Sequence, residues 1–385
     1  MKIFFAVASM LLTLSCTHTR SKPSHANTDT IRTETYLFKD LPHLEGSNGK
    51  IFLGGFSGLA YEGVNPKTGK KTFITVTDRG PNSEQELTKD KFPARRFGAP
   101  SFSPLIVHFE LDEKTLTATV TQTLALKSSR GKTISGLSNL SPRTKRKDAD
   151  ELSLDENNNE LPLDPSGLDP EGILQSANGD YWLVEEYRPS ILQFSKDGQL
   201  KNRFIPIGSK IAGMDSAKEI LPSHLTKRQL NRGFEGIALE GDKLFAFLQS
   251  PLKKKSLEIP VIEFDIKTKS VSNEYSYKLE GKDADKLGDA VSIGKNKFLV
   301  IEQNSKLGAG SFKKIFEVTL SKNQRRSKRI IADLSELGLS DLEKIEGITI
   351  LGPRTIALIN DNDFSFLRPD VSKLVLLHLN EDLFE

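Results

Sequence analysis

The segment Glu171-Gly172-Ile173-Leu174-Gln175-Ser176-Ala177-Asn178-Gly179-Asp180-Tyr181-Trp182-Leu183-Val184-Glu185 decides the fold. Two short apolar runs flank a polar Asn-Gly turn, the pattern of two adjacent antiparallel strands. A third run follows at Ile191 to Ser195 and a fourth, more exposed one at Lys201 to Ile207. The same order returns along the chain. Ser57-Gly58-Leu59-Ala60, Glu235-Gly236-Ile237-Ala238, Asp289-Ala290-Val291-Ser292 and Glu346-Gly347-Ile348-Thr349 open further copies. From Glu171 onward the openings are 64, 54 and 57 residues apart. Their second runs are Phe73 to Val76, Leu244 to Phe247, Phe298 to Ile301 and Ile356 to Ile359. Third runs follow at Leu105 to Leu111, Val261 to Ile266, Ile315 to Leu320 and Leu374 to Leu379, and fourth runs at Thr115 to Leu126, Val271 to Leu279 and Arg325 to Asp333.

The last copy lacks a fourth run, whereas Thr33 to Phe38 is a lone strand with no unit of its own. Repeated four-stranded units with one strand displaced to the other end of the chain predict an all-β protein. The expected architecture is a β-propeller of five visible blades, its ring closed by the N-terminal strand. The 114 residues between Ser57 and Glu171 leave room for a sixth blade. Residues 127–169 carry few strand signals and read as a long loop insertion over one face. Helical insertions are expected at Ser216 to Leu230 and near Ser335 to Lys344.

Composition narrows the function. The 385 residues carry 54 Lys+Arg against 51 Asp+Glu, a net charge of +3, so bulk electrostatics gives no reason to expect nucleic-acid binding. One cysteine excludes an intramolecular disulfide and a Cys-based zinc site. The six histidines are scattered, without HExxH spacing. Lys2 and the apolar run Ile3 to Leu14 read as a signal peptide over 1–15, too short to span a bilayer. Leu12-Thr13-Leu14-Ser15-Cys16 resembles a bacterial lipobox, with Thr13 departing from the usual aliphatic residue. The expectation is a lipidated Cys16, a flexible tether over 16–32, and a domain over 33–385 held in the cell envelope by its lipid alone.

An acid that opens the inner strand of a blade lies near the channel mouth. This puts Glu171, Glu235, Asp289 and Glu346 on one ring, with Ser57 in the fifth place. A second set sits at a fixed offset on the neighbouring strand. Glu185, Gln249 and Asn360 follow their partners by 14 residues, Glu302 follows by 13, and Asp78 takes the corresponding place in the first unit. Asp361 stands beside Asn360. So many carboxylates need a counter-charge. Oxygen ligands without His or Cys point to Ca²⁺ or Mg²⁺. Arg79, Arg188 and Arg232 are near in sequence and could share the neutralisation or hold an anionic substrate.

Read in order, Gly55-Phe56-Ser57-Gly58-Leu59-Ala60, Thr77-Asp78-Arg79-Gly80-Pro81-Asn82, Asp169-Pro170-Glu171-Gly172-Ile173, Trp182 to Ser190, Gly233-Phe234-Glu235-Gly236-Ile237-Ala238, Glu346-Gly347-Ile348 and Asn360-Asp361-Asn362-Asp363-Phe364 resemble the phytase-like family, also called esterase-like activity of phytase. The resemblance spans roughly residues 50 to 380. It implies an exported propeller whose repeated Asp and Glu form a hydrolytic site for phosphoesters or other esters. Glu302-Gln303-Asn304 departs from relatives that carry an Arg soon after the acid.

Other hydrolase chemistries are poorly supported. There is no Arg-His-Gly signature, no Cys-x5-Arg loop and no Walker A pattern. Ser57 only approximates GxSxG, and a nucleophile elbow needs a strand-to-helix turn. The favoured expectation is metal-assisted hydrolysis of a small anionic ester by a monomer. Ca²⁺ would be held by Asp78, Glu171, Glu185, Glu235, Asp289, Glu302, Glu346, Asn360 and Asp361. Glu171 or Glu235 would serve as general base, and Arg79 or Arg188 would stabilise the developing anion. The alternative is a non-catalytic, lipid-anchored binding propeller with structural Ca²⁺. Acids clustered with Arg79 and Arg188 at one mouth favour the enzyme.

Overall fold

A computed structural model describes residues 31–44, 47, 51–322 and 327–384. The signal segment, Cys16 and nearly all of the tether lie outside these residues. The described chain is all-β, without an α-helix.

The inner strands are Phe56–Val64, Pro170–Gln175, Phe234–Glu240, Lys286–Gly294 and Lys344–Gly352. Each pairs antiparallel with the next run along the chain: Lys71–Thr77, Tyr181–Glu185, Lys243–Leu248, Lys297–Gln303 and Thr355–Asp361. Third strands follow at Leu105–Asp112, Ser190–Phe194, Glu258–Asp265, Lys313–Thr319 and Lys373–His378. Fourth strands are Thr117–Ala125, Leu200–Pro206, Ser270–Lys278 and Lys328–Asp333. Arg32–Phe38 lies antiparallel to Lys373–His378, from Arg32 opposite His378 to Leu37 opposite Lys373. It is thus the outermost strand of the last unit. Its end also touches Thr117–Ala125 in parallel, which joins the first and last units into one eight-stranded sheet.

Adjacent units pack face to face. One apolar cluster joins Trp182 and Phe204 to Phe264, Phe245 and Phe298, from three successive units. Another joins Phe73 and Phe109 to Tyr36, Ile359 and Leu374 across the first and last units. Glycines let the inner strands approach one another. A Cβ on Gly172 would stand 2.8 Å from Ile237 Cγ2 and 3.0 Å from Glu235 O in the next unit. One on Gly347 would stand 2.8 Å from Leu59 Cβ and 2.9 Å from the Gly58 carbonyl carbon, so the last inner strand meets the first as tightly as the others meet in sequence.

Two expected helices are absent. Ser216 adopts a left-handed φ of 53°, and Ala217–Leu221 then joins Leu200–Pro206 as a parallel edge strand. Pro222 ends that strand, leaving only a 3-10 turn over Ser223–Lys227. Residues 335–343 form turns around Gly338 at φ 79°. In each segment the backbone visits a conformation that helices of L-residues exclude. Residues 127–169 contribute one three-residue strand, Leu152–Leu154, which pairs in parallel with Pro93–Arg96 in a small separate sheet. They supply no further four-stranded unit.

Candidate metal and ester site

The inner strands bulge at their acids. Opposite Val184 and Glu185 stand Gly172 and Pro170, so Glu171 is the extra residue. Glu235 is passed over between Phe234 and Gly236, Glu346 between Ile345 and Gly347, and Asp289 falls in the shift between Leu287 and Ala290. A bulge re-aims a side chain that a regular strand would send elsewhere. Glu171, Glu235 and Glu346 consequently offer oxygens within 4.8 Å of one another. Asp169, Glu171 and Glu186 form a second such group, and Asp78, Asp361 and Asp363 a third. All but Asp363 are buried.

A cavity of about 290 Å³ opens onto these groups. Asp78, Asp169, Glu171, Glu186, Glu346, Asp361 and the cations Arg79, Arg232, Lys286 and Lys344 are among its walls. Nine carboxylates line it against five cationic side chains, so the cavity needs bound protons or a bound cation. Burial and the neighbouring Glu235 hold the Glu171 carboxyl well above the ordinary range. Burial and Glu346 do the same for Glu235. Burial, followed by Asp361 and Asp169, raises Asp78. Burial and Asp169 push Glu186 up to about 8.

The local partners differ. Ser57 Oγ donates to Glu171 Oε2 at 2.7 Å and to the Glu171 carbonyl at 2.8 Å, fixing that side chain from the first unit. Gln249 Nε2 donates to Glu235 Oε2 at 2.6 Å, and Lys286 Nζ to Glu346 Oε1 at 3.2 Å. Lys344 Nζ sits 2.6 Å from both Asp361 Oδ2 and Asp363 Oδ1, so the third group already holds a cation. Among the described residues four buried carboxylate oxygens have no hydrogen-bond donor: Glu151 Oε2, Asp169 Oδ2, Glu186 Oε1 and Glu235 Oε1, of which Asp169 Oδ2 stands 3.3 Å from Arg79 Nη1. The two overlapping acidic groups, with Asp169, Glu171, Glu186 and Glu346 in the cavity wall, offer a hard cation an all-oxygen donor set that suits Ca²⁺ or Mg²⁺. Arg79 lies at the mouth. It donates to Glu151 Oε1 and Asn231 Oδ1, each at 2.8 Å, and its guanidinium faces the Tyr187 ring.

The remaining predicted residues are placed elsewhere. Glu185 is fully buried and accepts from Tyr187 N, Arg188 N and Ser190 Oγ at 2.9, 3.1 and 2.8 Å. Asp289 receives Ile237 N at 3.3 Å and Ile348 N at 3.0 Å, tying together the inner strands on either side of it. Glu302 accepts from Tyr277 Oη at 2.6 Å and Glu280 N at 3.0 Å, and pairs with Lys328. Asn360 Oδ1 caps Lys373 N at 2.6 Å. Arg188 does not reach the mouth. Wholly buried, it donates to Ser209 O, Asn139 Oδ1 and Asp148 O, and lies 3.6 Å from both Asp148 and Asp150. It therefore pins the 127–169 segment to the barrel of strands. The structure brings Arg79 together with Asp78, Glu171, Glu346 and Asp361 around one cavity and leaves Arg188 outside it.

The sequence pattern described as phytase-like, esterase-like activity of phytase, matches residues 51–364. The chain belongs to the phytase-like family. An uncharacterized secreted protein of Arthroderma benhamiae is 27% identical over an alignment covering 28% of this chain and 26% of that protein. The chain thus spans about a quarter of the length of the curated relative it matches. Among solved structures, an exo-β-1,3-galactanase from Phanerochaete chrysosporium is 8% identical, with 89% of this chain and 64% of that one covered and a TM-score of 0.43. An aldose sugar dehydrogenase from Streptomyces coelicolor, solved with PQQ, is also 8% identical, covering 91% and 99%, with a TM-score of 0.39.

Several site residues of this phytase-like chain escape the repeat logic. The 14-residue offset points to Glu185, whereas the wall residue is Glu186, the next one along. Asp169 stands two residues before Glu171, and Lys344 two before Glu346, where a search for arginines misses it. Lys286 lies three residues before Asp289 and Asp363 two after Asp361. Glu151 comes from the insertion, and no local pattern points to it.

Proposed function

We propose that this protein is an exported, phytase-like hydrolase of small anionic esters, phosphoesters foremost, that works with Ca²⁺. The observation that carries this reading is the pair of overlapping acidic groups that share Glu171, with Asp169, Glu171, Glu186 and Glu346 in the wall of a cavity also lined by Arg79, Arg232, Lys286 and Lys344. The fold reading is a five-bladed propeller closed by Arg32–Phe38. Its support is the cyclic packing of five inner strands and the pairing of that strand with Lys373–His378. Export draws support from the signal-like N-terminus and the secreted relative. A lipidated Cys16 would place the domain in the cell envelope.

Asp169, Glu171, Glu186, Glu235 and Glu346 would hold the ion, which when bound polarises a phosphoryl or acyl oxygen and acidifies water. Arg232 and Arg79 at the mouth, with Lys286, attract and orient the anionic group. Ser57 keeps Glu171 in one rotamer. Glu186 holds a proton until about pH 8 in the ion-free site, so the ion would have to displace that proton to bind there. Leu230 and Leu367 supply the few apolar contacts in the wall.

The test is turnover of a panel of phosphomonoesters, phosphodiesters and carboxylesters with Ca²⁺ and with chelator. The expected result is calcium-dependent hydrolysis lost in Glu171→Ala. No turnover on any ester, with calcium raising only the melting temperature, would replace the enzyme by the binding propeller.

A further inference from the structure

We infer that Arg232 is the residue that grips the oxyanion of a phosphoryl group and that Gln249 positions it. The assignment rests on the ester reading above and narrows it to one of the five cations in the cavity wall. The other four are already spent on acids. Arg79 Nη1 stands 2.8 Å from Glu151 Oε1 and 3.3 Å from Asp169 Oδ2. Arg95 Nε lies 3.0 Å from the same Glu151 oxygen. Lys286 Nζ is 3.2 Å from Glu346 Oε1, and Lys344 bridges Asp361 and Asp363. Among the described residues no carboxylate stands within ion-pair distance of Arg232. Its Nη1 donates instead to a neutral acceptor, Gln249 Oε1, at 2.6 Å. Glu186 feels the Arg232 charge only from farther away. A guanidinium with its charge unspent and part of its donor fork open is suited to a phosphoryl oxyanion.

The chain fixes Arg232 from two sides. Gln249 is buried and uses both ends of its amide, accepting from Arg232 at Oε1 and donating Nε2 to Glu235 Oε2 at 2.6 Å. Its backbone N also donates to Gly233 O at 2.7 Å. A Cβ on Gly233 would overlap the Glu186 carbonyl, so the residue after Arg232 packs backbone to backbone on Glu186. Before it, Asn231 takes a left-handed φ of 52°, a conformation that Asn tolerates. Leu230, Asn231 and Arg232 thereby enter the wall in succession. Arg232 is only half-buried there, so the rest of its guanidinium is open to a ligand. An oxyanion gripped at that point stands next to Glu186, one of the acids assigned to the ion. The neutral amide matters, because a carboxylate at position 249 would offset the charge that the ligand needs.

The experiment measures binding of radiolabelled inorganic phosphate to the full-length protein in calcium by equilibrium dialysis, with bound calcium counted in the same samples and KM and kcat read on the best ester of the panel. Arg232→Met should weaken phosphate about tenfold or more and raise KM by a similar factor, with the calcium count unchanged. Arg232→Lys keeps the charge without the fork and should fall between the two. Gln249→Glu is close to isosteric and leaves Arg232 in place but paired, so it should weaken phosphate about as much as Arg232→Met. Arg95→Met removes a cation that is already paired and should change binding less than about twofold. Wild-type phosphate affinity in Arg232→Met overturns the inference and leaves the ester reading standing, as does an Arg95→Met that loses as much as Arg232→Met. If Gln249→Glu fails to fold or loses calcium, the Arg232 variants still decide. A wild type that neither binds phosphate nor turns over any ester overturns the ester reading and the inference with it. Phosphate binding that depends on Arg232 without any turnover keeps the oxyanion site and removes only the enzyme.

Discussion

Glu185 and Glu186 are consecutive, both buried, and opposite in condition. Glu185 receives two backbone N–H groups and a serine hydroxyl. Glu186 faces the cavity and keeps one oxygen without a donor. The contrast extends through the molecule. Glu185, Asp289, Glu302 and Arg188 form an outer set whose polar atoms are matched by backbone and side-chain partners. Asp169, Glu186 and Glu235 form an inner set, each with one oxygen that lacks a hydrogen-bond donor. The first arrangement is what holding strands together requires; the second is costly and persists only where something else completes it. Burial alone does not separate structural from functional carboxylates. The count of donors does.

The comparison breaks first at Arg188. Its guanidinium offsets Asp148 and Asp150 in a site closed to water. Asp148 keeps Arg146 at 2.7 Å, but Arg188→Met removes the second cation beside each acid and the donor to Ser209 O, Asn139 Oδ1 and Asp148 O, and should cost about 3–5 kcal/mol in urea denaturation. Arg228 still pairs with Asp150 at 2.6 Å, which keeps the loss toward the lower end. A loss under about 1 kcal/mol would place Arg188 outside the structural set.

Gly172 tests the geometry that brings the inner set together. A Cβ there would press on Ile237 Cγ2, Val184 Cγ2 and Glu235 O. Gly172→Ala should cost about 1–3 kcal/mol and shift Glu235, weakening calcium binding as well. Unchanged stability with unchanged binding would mean that the inner strands have slack.

The inner set should also reveal itself through pH. Burial and Asp169 raise Glu186 from 4.5 to about 8, so between those values the folded protein holds a proton that the unfolded chain has released. Stability of the calcium-free protein is therefore greatest below about pH 4.5 as far as this group is concerned, and falls as pH rises toward 8. Glu186→Gln should flatten that decline, and saturating calcium should do the same for the wild type. Chemical denaturation from pH 5 to 8.5 measures both. A slope that the variant leaves untouched would assign the titration elsewhere.

These contrasts also mark what was legible in the sequence. The strands and their order could be read because alternating apolar runs and turn residues are local signals. The inner-strand acids recurred with the repeat, so Glu171, Glu235 and Glu346 were found. What the repeat hid was direction. At the 14-residue offset Gln249 reaches the cavity wall whereas Glu185 turns into the core and Glu186, the residue after it, takes the wall position, so an offset alone does not give direction. Glu151 was invisible for a different reason: it reaches Arg79 across 72 positions from a segment with no periodicity. The expected helix over Ser216 to Leu230 shrinks to a 3-10 turn at Ser223–Lys227, because left-handed residues such as Ser216 have no compositional mark.

The smallest effect belongs to charges in neither set. Lys253, Lys254 and Lys255 form a conspicuous run and are all exposed. They have no buried acid to neutralise and lie outside the cavity wall. Water solvates them in the folded and unfolded states alike, so their contribution to stability nearly cancels. Replacing all three by Ala should change stability by no more than about 0.5 kcal/mol and leave the calcium count unchanged. The one property they should alter is the rate at which a charged substrate arrives, through the long-range field, and that change should vanish once salt shortens the Debye length to about 8 Å. A triple variant that lost calcium or turnover at physiological salt would mean that charge acts on the site from well beyond its walls, and the division between paired and underpaired carboxylates would no longer suffice to locate function.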